Sequence, residues 1–192
     1  MPARGPVARA AEALRRGGLV VYPTDTLYGL GADATNALAV ERLLRLKARP
    51  DRQPISIAVD SYEAIEPIAR LRPAGRRYAR THLPGPYTLL VRPSPSARRR
   101  LAPAIAGPDL PTVGVRIPDH PLARALAAAL GRPVTATSAN PHGQRPARSI
   151  AEARRLFGGR VAAYLGGDPP PTGVPSTLVD LTGPAPVERP RA

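Results

Sequence analysis

Short apolar runs alternate with amphipathic segments along nearly the whole chain. Apolar runs bounded by Pro and Gly are typical of buried strands, and they predict strands over residues 19–22, 55–59, 87–91, 113–117, 134–137, 162–165 and 177–181. Apolar positions at helical spacing predict helices over residues 7–16, 36–47, 61–70, 73–82, 121–130 and 149–156. Strands that alternate with helices indicate an α/β fold. The two late strands have little helix between them, which indicates that part of the sheet is antiparallel.

Helix caps and one irregular stretch refine this pattern. Ser149 and Glu152 form a capping box at the start of the last helix, and Asp119 is expected to cap the helix that begins at residue 121. The stretch over residues 93–111 is rich in Pro and Arg and is interpreted as a surface excursion. The predicted fold is a twisted, mixed parallel and antiparallel sheet flanked by helices, in a single domain over residues 1–192.

The composition is that of a globular protein without a membrane span. Hydrophobic residues make up 43% of the chain and charged residues 22%, an ordinary globular balance. No apolar run approaches the ~20 residues of a membrane helix, and the N-terminal segment lacks the apolar core of a secretory signal. The absence of cysteine excludes disulfides, thiolate metal sites and a Cys nucleophile. A cytoplasmic location is expected.

The chain is strongly basic, with 28 basic and 14 acidic residues and a formal net charge of +14. Such an excess attracts anions such as nucleotides, pyrophosphate or RNA; the alternative is a compositional bias toward Arg whose charge is spread over a solvated surface. Aromatic residues are only 4%, which argues against a reader of single-stranded RNA that stacks bases on aromatic rings.

One cation differs from all the others. Lys47 is the single lysine in a chain that otherwise uses arginine. Because a compact ammonium and a planar guanidinium differ in shape and hydration, the lone lysine indicates a position where an ammonium is required. Chance retention is the alternative.

Two polar segments flank the early strands, where open α/β sheets present ligand sites. The segment PTDTLYGLG, residues 23–31, contains two glycines that permit close approach of the backbone; alternatively, it is a polar turn whose hydroxyls bond their own backbone. The segment KARPDRQP, residues 47–54, offers Lys47 as a point charge and Arg49 as a bidentate fork for phosphate. Its alternative is a helix end that favours cations through the helix dipole.

Three further segments carry polar groups near later strands. In TVGVR, Thr112 and Arg116 lie on the same strand face, separated by Gly114, which leaves room for a ligand. Arg116 can pair there with a carboxylate or, alternatively, reach solvent from an edge strand. The segments TATSAN and GVPST, residues 135–140 and 173–177, bring hydroxyl clusters of a kind that is also common in turns.

Several kinds of site are excluded by spacing. The chain has no dinucleotide G-x-G-x-x-G fingerprint, no P-loop and no catalytic triad. His82, His120 and His142 are far apart and lack metal spacing, so surface or structural roles are expected. No pair of carboxylates stands at a strand end for acid–base work. The implied chemistry is binding, charge neutralisation and positioning.

As a set, five segments resemble the YrdC/TsaC family of L-threonylcarbamoyladenylate synthases. They are PTDTLYGLG, the K-x-R pair in LKARPDRQPISI, TVGVRIPDHP, TSAN and ST-x-VD, in the family's order. The resemblance implies a YrdC-like (dsRBD-like) α/β fold around a large basic cavity. It implies that L-threonine, bicarbonate and ATP give threonylcarbamoyl-AMP and pyrophosphate, for threonylcarbamoyladenosine modification of tRNA beside the anticodon.

The resemblance also assigns residues and partners by position. It implies a threonine site made by Thr26, Arg116, Ala136 and Ser176, with Arg116 paired to the threonine carboxylate. It implies an ATP site made by Lys47, Arg49, Gln53, Thr112, Ser138, Asn140 and Arg189, in which Lys47 and Arg49 are the catalytic pair. Mg²⁺ is expected on the ATP phosphates, without a protein metal site. The tRNA and partner proteins of the transfer complex are further expected partners.

Two positions depart from the family pattern, and two alternatives stay open. Ala58 stands where longer relatives carry a His, and Pro175 stands where a Glu usually precedes Ser-Thr. The second domain of the longer relatives is not expected here. The first alternative is a non-catalytic protein of the same fold that binds double-stranded RNA or tRNA. The second is a paralogue that uses another carbamoyl-type substrate.

Overall fold

A computed structural model describes residues 5–48, 55–167 and 172–190. Its helices are α1 Pro6–Arg15, α2 Ala37–Lys47, α3 Pro73–His82, α4 Pro95–Arg100, α5 Pro103–Ala106, α6 Pro121–Leu130 and α7 Ile150–Phe157. Its strands are β1 Val20–Tyr22, β2 Gly29–Gly31, β3 Ile57–Ala58, β4 Tyr87–Val91, β5 Val113–Arg116, β6 Val134–Thr135, β7 Thr137–Ser138, β8 Ala163–Tyr164, β9 Thr177–Asp180 and β10 Val187–Arg189. Short 3₁₀ helices span Glu63–Ile65 and Gly158–Arg160.

The strands form two sheets of mixed direction. The four-stranded sheet has the order β7-β2-β1-β8 and the six-stranded sheet the order β10-β9-β4-β5-β3-β6. β1 runs antiparallel to β2 and parallel to β8, while β4 runs parallel to β9 and antiparallel to β5. The predicted mixed sheet flanked by helices is confirmed, but its strands divide between two sheets.

The division occurs at Ala136. A single strand was expected over residues 134–137, whereas β6 pairs with β3 of the six-stranded sheet and β7 pairs with β2 of the four-stranded sheet. Between them, the Ala136 N–H donates to the Ser56 carbonyl at 2.7 Å. The chain therefore passes from one sheet to the other within a few residues, and this crossing brings the two sheets together at the site described below.

β1 is buried on both faces, which explains its continuous apolar run. Val21 belongs to the larger core cluster. Val20 and Tyr22 point the other way, into a smaller cluster with Leu14 of α1 and Leu126 of α6. The strand is thus packed between two apolar layers.

Several local predictions are wrong for identifiable reasons. The helix expected over residues 61–70 is only the 3₁₀ helix Glu63–Ile65, because Pro67 interrupts a longer helix. The stretch over residues 93–111 is not a simple surface excursion, since Leu101 and Ile105 are buried. The strands β2 and β10 were not predicted, because a Gly-Leu-Gly triplet and three exposed residues carry little strand signal.

The helix caps were predicted partly correctly. The Ser149 hydroxyl accepts from the Glu152 N–H at 3.1 Å, as expected. At α6 the cap is His120, whose Nδ1 accepts from the Leu122 N–H at 3.2 Å, and the assignment to Asp119 is wrong. His120 is buried, so a structural role for this histidine is confirmed.

Candidate active site

A cavity of about 680 Å³ lies between the two sheets, within the size range of small-molecule sites. It is lined by side chains from both sheets and their loops, most of them hydroxyls or small apolar groups. Among the described residues that line it, Arg116 is the only charged one. The cavity holds six of the predicted site residues, namely Thr26, Thr112, Arg116, Ala136, Ser138 and Ser176.

β5 presents one face to this cavity and the other to the core. Thr112, Gly114 and Arg116 line the cavity, whereas Val113 and Val115 are buried in the main core cluster. The predicted alternation along this strand is confirmed. Gly114 lines the cavity as expected, and a Cβ at this position would lie 2.4 Å from Ser56 Oγ and 3.0 Å from Thr88 Cγ2. The glycine makes room for two neighbouring side chains of the cavity wall.

The Arg116 guanidinium is fixed by two adjacent residues of the loop after β1. Its Nη2 donates to Asp25 Oδ1 at 2.5 Å and its Nη1 donates to Thr26 Oγ1 at 2.9 Å. The side chains of Arg116 and Asp25 are 8% and 11% exposed. Burial lowers the pKa of Arg116, and the Asp25 carboxylate opposes this shift. The site therefore contains a buried cation with a defined orientation.

The loop that carries Asp25 and Thr26 is shaped by Thr24. Its Oγ1 accepts from the backbone N–H groups of Thr26 and Leu27, each at 3.2 Å, and donates to the Leu27 carbonyl at 2.7 Å. This is the self-bonded polar turn that the sequence left open as an alternative. The same turn, however, lines the cavity through Thr24, Thr26 and Leu27.

Tyr22 closes the floor of the cavity beneath this loop. Its ring packs on β2, where a Cβ at Gly29 or Gly31 would come within 2.9 Å or 3.0 Å of a ring carbon. Its hydroxyl donates to the Thr135 carbonyl at 2.9 Å. Burial raises the pKa of Tyr22, which keeps the hydroxyl protonated as a donor. The two glycines of the motif thus permit close approach of a protein ring.

Lys47 lies at the end of α2 and is buried, with 3% of its surface exposed. Its Nζ donates to the carbonyls of Ser138 and Asn140 at 2.5 and 2.6 Å, and lies 3.4 Å from Asn140 Oδ1. The His142 N–H donates in return to the Lys47 carbonyl at 2.6 Å. A tetrahedral ammonium suits this cluster of oxygens better than a planar guanidinium does, which accounts for the lone lysine of the chain.

Lys47 and Asn140 do not belong to the described cavity lining. The Asn140 amide donates from Nδ2 to the carbonyls of Pro141 and Gln144, at 3.0 and 2.6 Å. Both side chains therefore hold the loop after β7 and the end of β7 itself, where Ser138 faces the cavity. Arg49 and Gln53, the remaining predicted residues of this segment, lie outside the described residues.

Ser176 reaches the cavity from the segment before β9. Its hydroxyl lies 2.7 Å from Thr88 Oγ1, and both side chains are buried. The preceding loop lies against the Thr26 loop, because the Gly173 N–H donates to the Thr26 carbonyl at 3.1 Å. Pro175, which departs from the family pattern, also lines the cavity.

Arg189 lies at the edge of the six-stranded sheet, outside the cavity lining. It pairs in register with Leu178 of β9, which does line the cavity, so the two side chains share a sheet face. Its guanidinium binds the Asp180 carboxylate at 2.9 Å and is half exposed. Contact of Arg189 with ATP stays a prediction.

The lining or supporting residues that were not predicted as site residues include Tyr22, Asp25, Ser56 and Thr88. Asp25 stands inside a quoted motif, but its partner is 91 residues away in sequence. Ser56 and Thr88 are the polar residues within the apolar strand segments ISIAV and YTLLV. Polar residues interrupting a buried strand are the signal that could have identified them.

Neither a metal cluster nor a membrane helix occurs in residues 5–48, 55–167 and 172–190. These residues contain no group of three His, Asp or Glu side chains that could hold a metal ion. In the same ranges, no helix has the length and apolar character needed to cross a bilayer.

Comparison with known proteins identifies the family. The model of the Sua5/YciO/YrdC family, described as "Telomere recombination", matches residues 12–190. The chain belongs to this family. A Sua5/YciO/YrdC relative from Halorhodospira halophila, named threonylcarbamoyl-AMP synthase, is 42% identical over 94% of this chain and 88% of its own.

Solved structures of Sua5/YciO/YrdC proteins share the fold. Sua5 from Pyrococcus abyssi, solved in complex with L-threonine, matches with a TM-score of 0.86 and 36% identity over 95% of this chain. The match covers 52% of the Pyrococcus protein. YciO from Escherichia coli matches with a TM-score of 0.83 and 28% identity, over 95% of this chain and 86% of its own. The YrdC-like fold is therefore confirmed.

Proposed function

We propose that the chain is a threonylcarbamoyl-AMP synthase that converts L-threonine, bicarbonate and ATP to threonylcarbamoyl-AMP and pyrophosphate. The observation that carries this proposal is the buried Arg116 guanidinium, held in orientation at a cavity walled by hydroxyls. It stands in a family whose members include threonylcarbamoyl-AMP synthases and a Sua5 solved with L-threonine.

The Arg116 end of the cavity suits threonine. A guanidinium has five N–H donors, and two of them are used by Asp25 and Thr26, so further donors remain for the substrate carboxylate. The hydroxyls of Thr26 and Ser176 supply neighbouring polar contacts, and Ala136 adds a small apolar surface. An amino acid with a short side chain carrying a hydroxyl and a methyl group matches this lining.

The Thr112 and Ser138 hydroxyls of the same cavity are assigned to ATP. The threonine amine condenses with bicarbonate to a carbamate and water, and a carbamate oxygen then attacks the α-phosphorus while pyrophosphate leaves. Neither step needs a protein nucleophile. Holding the reactants in line can contribute ~7–11 kcal/mol, and the predicted contacts of Arg49 and Gln53 add charge stabilisation at the phosphates. Lys47 contributes by fixing the end of β7, where Ser138 lies.

Mg²⁺ is proposed as a companion of ATP. The described residues offer no carboxylate cluster, and Mg²⁺ commonly binds through phosphate oxygens and retained waters. On the phosphates it would neutralise charge that develops on the leaving pyrophosphate. The protein side chains would then position ATP, whichever cation accompanies it.

Four further assignments belong to the same proposal: a cytoplasmic location, a single YrdC-like domain, an interaction with tRNA, and partner proteins that complete the transfer. The net charge of +14 supports attraction to a polyanion. The buried core clusters that join helices to both sheets support a single folding unit.

The test is detection of the product by mass spectrometry after incubation of purified protein with ATP, L-threonine and bicarbonate. We expect threonylcarbamoyl-AMP, and we expect it to vanish when any one substrate is omitted. Pyrophosphate that forms equally well without threonine would favour a different carbamoyl-type substrate. Salt-sensitive RNA binding that survives Lys47→Ala, with no product under any condition, would favour the non-catalytic alternative.

A further inference from the structure

Asp25 has no assigned role in ligand binding, yet it contacts the central cation of the cavity. Asp25 Oδ1 accepts from Arg116 Nη2, and the adjacent Thr26 accepts from Nη1. Two neighbouring residues of one turn thereby contact two nitrogens of one planar group. Such a two-point contact fixes both the plane and the rotation of a guanidinium.

Asp25 contacts Arg116 but does not itself belong to the cavity lining. Arg116 lines the cavity, whereas Asp25 does not, although its side chain is nearly as deeply buried. A contact between Asp25 and a substrate is therefore not supported. The Arg116 guanidinium, which contacts Asp25 and lines the cavity, is the route by which Asp25 is expected to influence the substrate.

The net charge of the Asp25–Arg116 pair also suits the binding of threonine. A buried cation without a counter-charge is strongly unfavourable, and Asp25 makes the buried pair neutral. Threonine as a zwitterion is neutral as well, so its binding beside the pair buries no net charge. Within the described part of the chain, Asp25 Oδ2 and Arg116 Nε have no hydrogen-bond partner, so the pair is made through one oxygen and one nitrogen.

We propose that Asp25 is a positioning residue for threonine: it holds the Arg116 guanidinium in the orientation that receives the substrate carboxylate. This inference rests on the proposed function of the cavity. It assigns to Asp25 an effect on threonine binding and none on ATP binding.

The experiment compares Asp25→Asn with Asp33→Asn, a matched control. Asp33 is also a buried aspartate paired with an arginine, Arg132, at 2.7 Å, but neither residue lines the cavity. Threonine binding is measured by calorimetry, and KM is measured for threonine and for ATP. Asp25→Asn should raise the threonine Kd and KM at least about tenfold, the scale of one hydrogen bond to a charged group. The KM for ATP should stay within about twofold of the value for the unmodified protein. In Asp33→Asn, the threonine Kd, the threonine KM and the ATP KM should all stay within about twofold.

A double-mutant cycle tests whether Asp25 acts through Arg116. In an Arg116→Gln background, Asp25→Asn should cause no further loss of threonine affinity. Additive losses would overturn the positioning role. Should Asp25→Asn fail to fold in a thermal melt, Asp25→Glu keeps the charge. It should then bind threonine more weakly than the unmodified protein, and unchanged threonine affinity would overturn the proposal.

The outcomes separate this inference from the proposed function. An unmodified protein that binds threonine but makes no threonylcarbamoyl-AMP contradicts the function, while calorimetry still decides the role of Asp25. An unmodified protein that makes the product, with Asp25→Asn unchanged in threonine Kd and KM, contradicts the positioning role alone. A protein that neither binds threonine nor forms product overturns both.

Discussion

Two aspartate–arginine pairs in this molecule, each with a largely buried carboxylate, differ in how many hydrogen-bond partners that carboxylate has. Asp33 is 1% exposed; its Oδ1 accepts from the N–H and hydroxyl of Thr35 at 2.9 and 2.7 Å, and its Oδ2 pairs with Arg132 at 2.7 Å. Asp25 pairs with Arg116 through Oδ1 alone. Over the residues that the structure describes, Asp25 Oδ2 and Arg116 Nε have no partner.

This difference in hydrogen-bonding distinguishes a pair that serves only the fold from a pair that belongs to the candidate active site. An unpaired buried polar atom costs about 1–3 kcal/mol, so the Asp33 pair has the arrangement expected of a purely structural contact. The Asp25–Arg116 pair has two polar atoms without a partner among the described residues, and its arginine lines a cavity of about 680 Å³. Native proteins tolerate such deficits mainly where a ligand or a functional constraint accounts for them.

The largest expected effect comes from replacing Arg116, with the replacement of Arg132 as the control. Arg116→Gln should lower kcat/KM for threonine by about 10²–10³-fold, because it removes a buried charged contact to the substrate carboxylate. Arg132→Gln should leave that value within about twofold, since its carboxylate partner lies outside the cavity. Steady-state pyrophosphate release at varied threonine measures both, and equal losses in the two variants would abolish the distinction.

The second effect concerns stability alone. Asp33→Asn should destabilise the fold by about 2–3 kcal/mol, because it weakens the charge-assisted hydrogen bonds that the buried Asp33 carboxylate accepts from Thr35 and Arg132. Threonine affinity should not change. Denaturant titration gives the first quantity and calorimetry the second. A weaker threonine affinity in this variant would show that the Asp33–Arg132 pair is coupled to the candidate active site.

A third effect tests Lys47, a second buried cation among the described residues, whose contacts include oxygens of Ser138 and Asn140. Lys47→Arg should destabilise the protein by about 2 kcal/mol, because a larger planar group must fit among the Ser138 and Asn140 oxygens. The KM for ATP should also rise, since Ser138 lies at the end of β7, which Lys47 holds. Denaturant titration and ATP kinetics check this, and an Arg variant with normal stability would refute the account given for the lone lysine.

The smallest effect belongs to an exposed pair, Asp180 with Arg189. Hydrogen bonds from Thr182, with a further contribution from Arg189, lower the pKa of Asp180. A carboxyl whose pKa is lower in the folded state stabilises the fold above its unfolded pKa, and this contribution is lost as the pH falls through the folded pKa. Asp180→Asn should therefore cost less than about 1 kcal/mol at neutral pH. Unfolding curves should show that difference vanishing in acid, and a difference that persists there would rule out this origin.

The sequence predicted secondary-structure elements and strand faces better than it predicted which side chains contact each other. The alternation in TVGVR placed Thr112 and Arg116 on one face, and the structure confirms it. Arg116 was expected to meet a carboxylate, but periodicity contains no information on a partner 91 residues away, and the internal partner Asp25 was missed. Lys47 was recognised as special from composition alone. Its contacts with Ser138 and Asn140 depend on a crossing between sheets that local pattern does not reveal.

The most direct test of the central claim is a crystal structure of the protein with L-threonine. The account predicts that the threonine carboxylate lies in the cavity between the sheets, within hydrogen-bond distance of the Arg116 guanidinium, while the Asp33–Arg132 pair is unchanged. Threonine bound in the smaller cavity of about 220 Å³ beside Arg132, or bound without contact to Arg116, would contradict it.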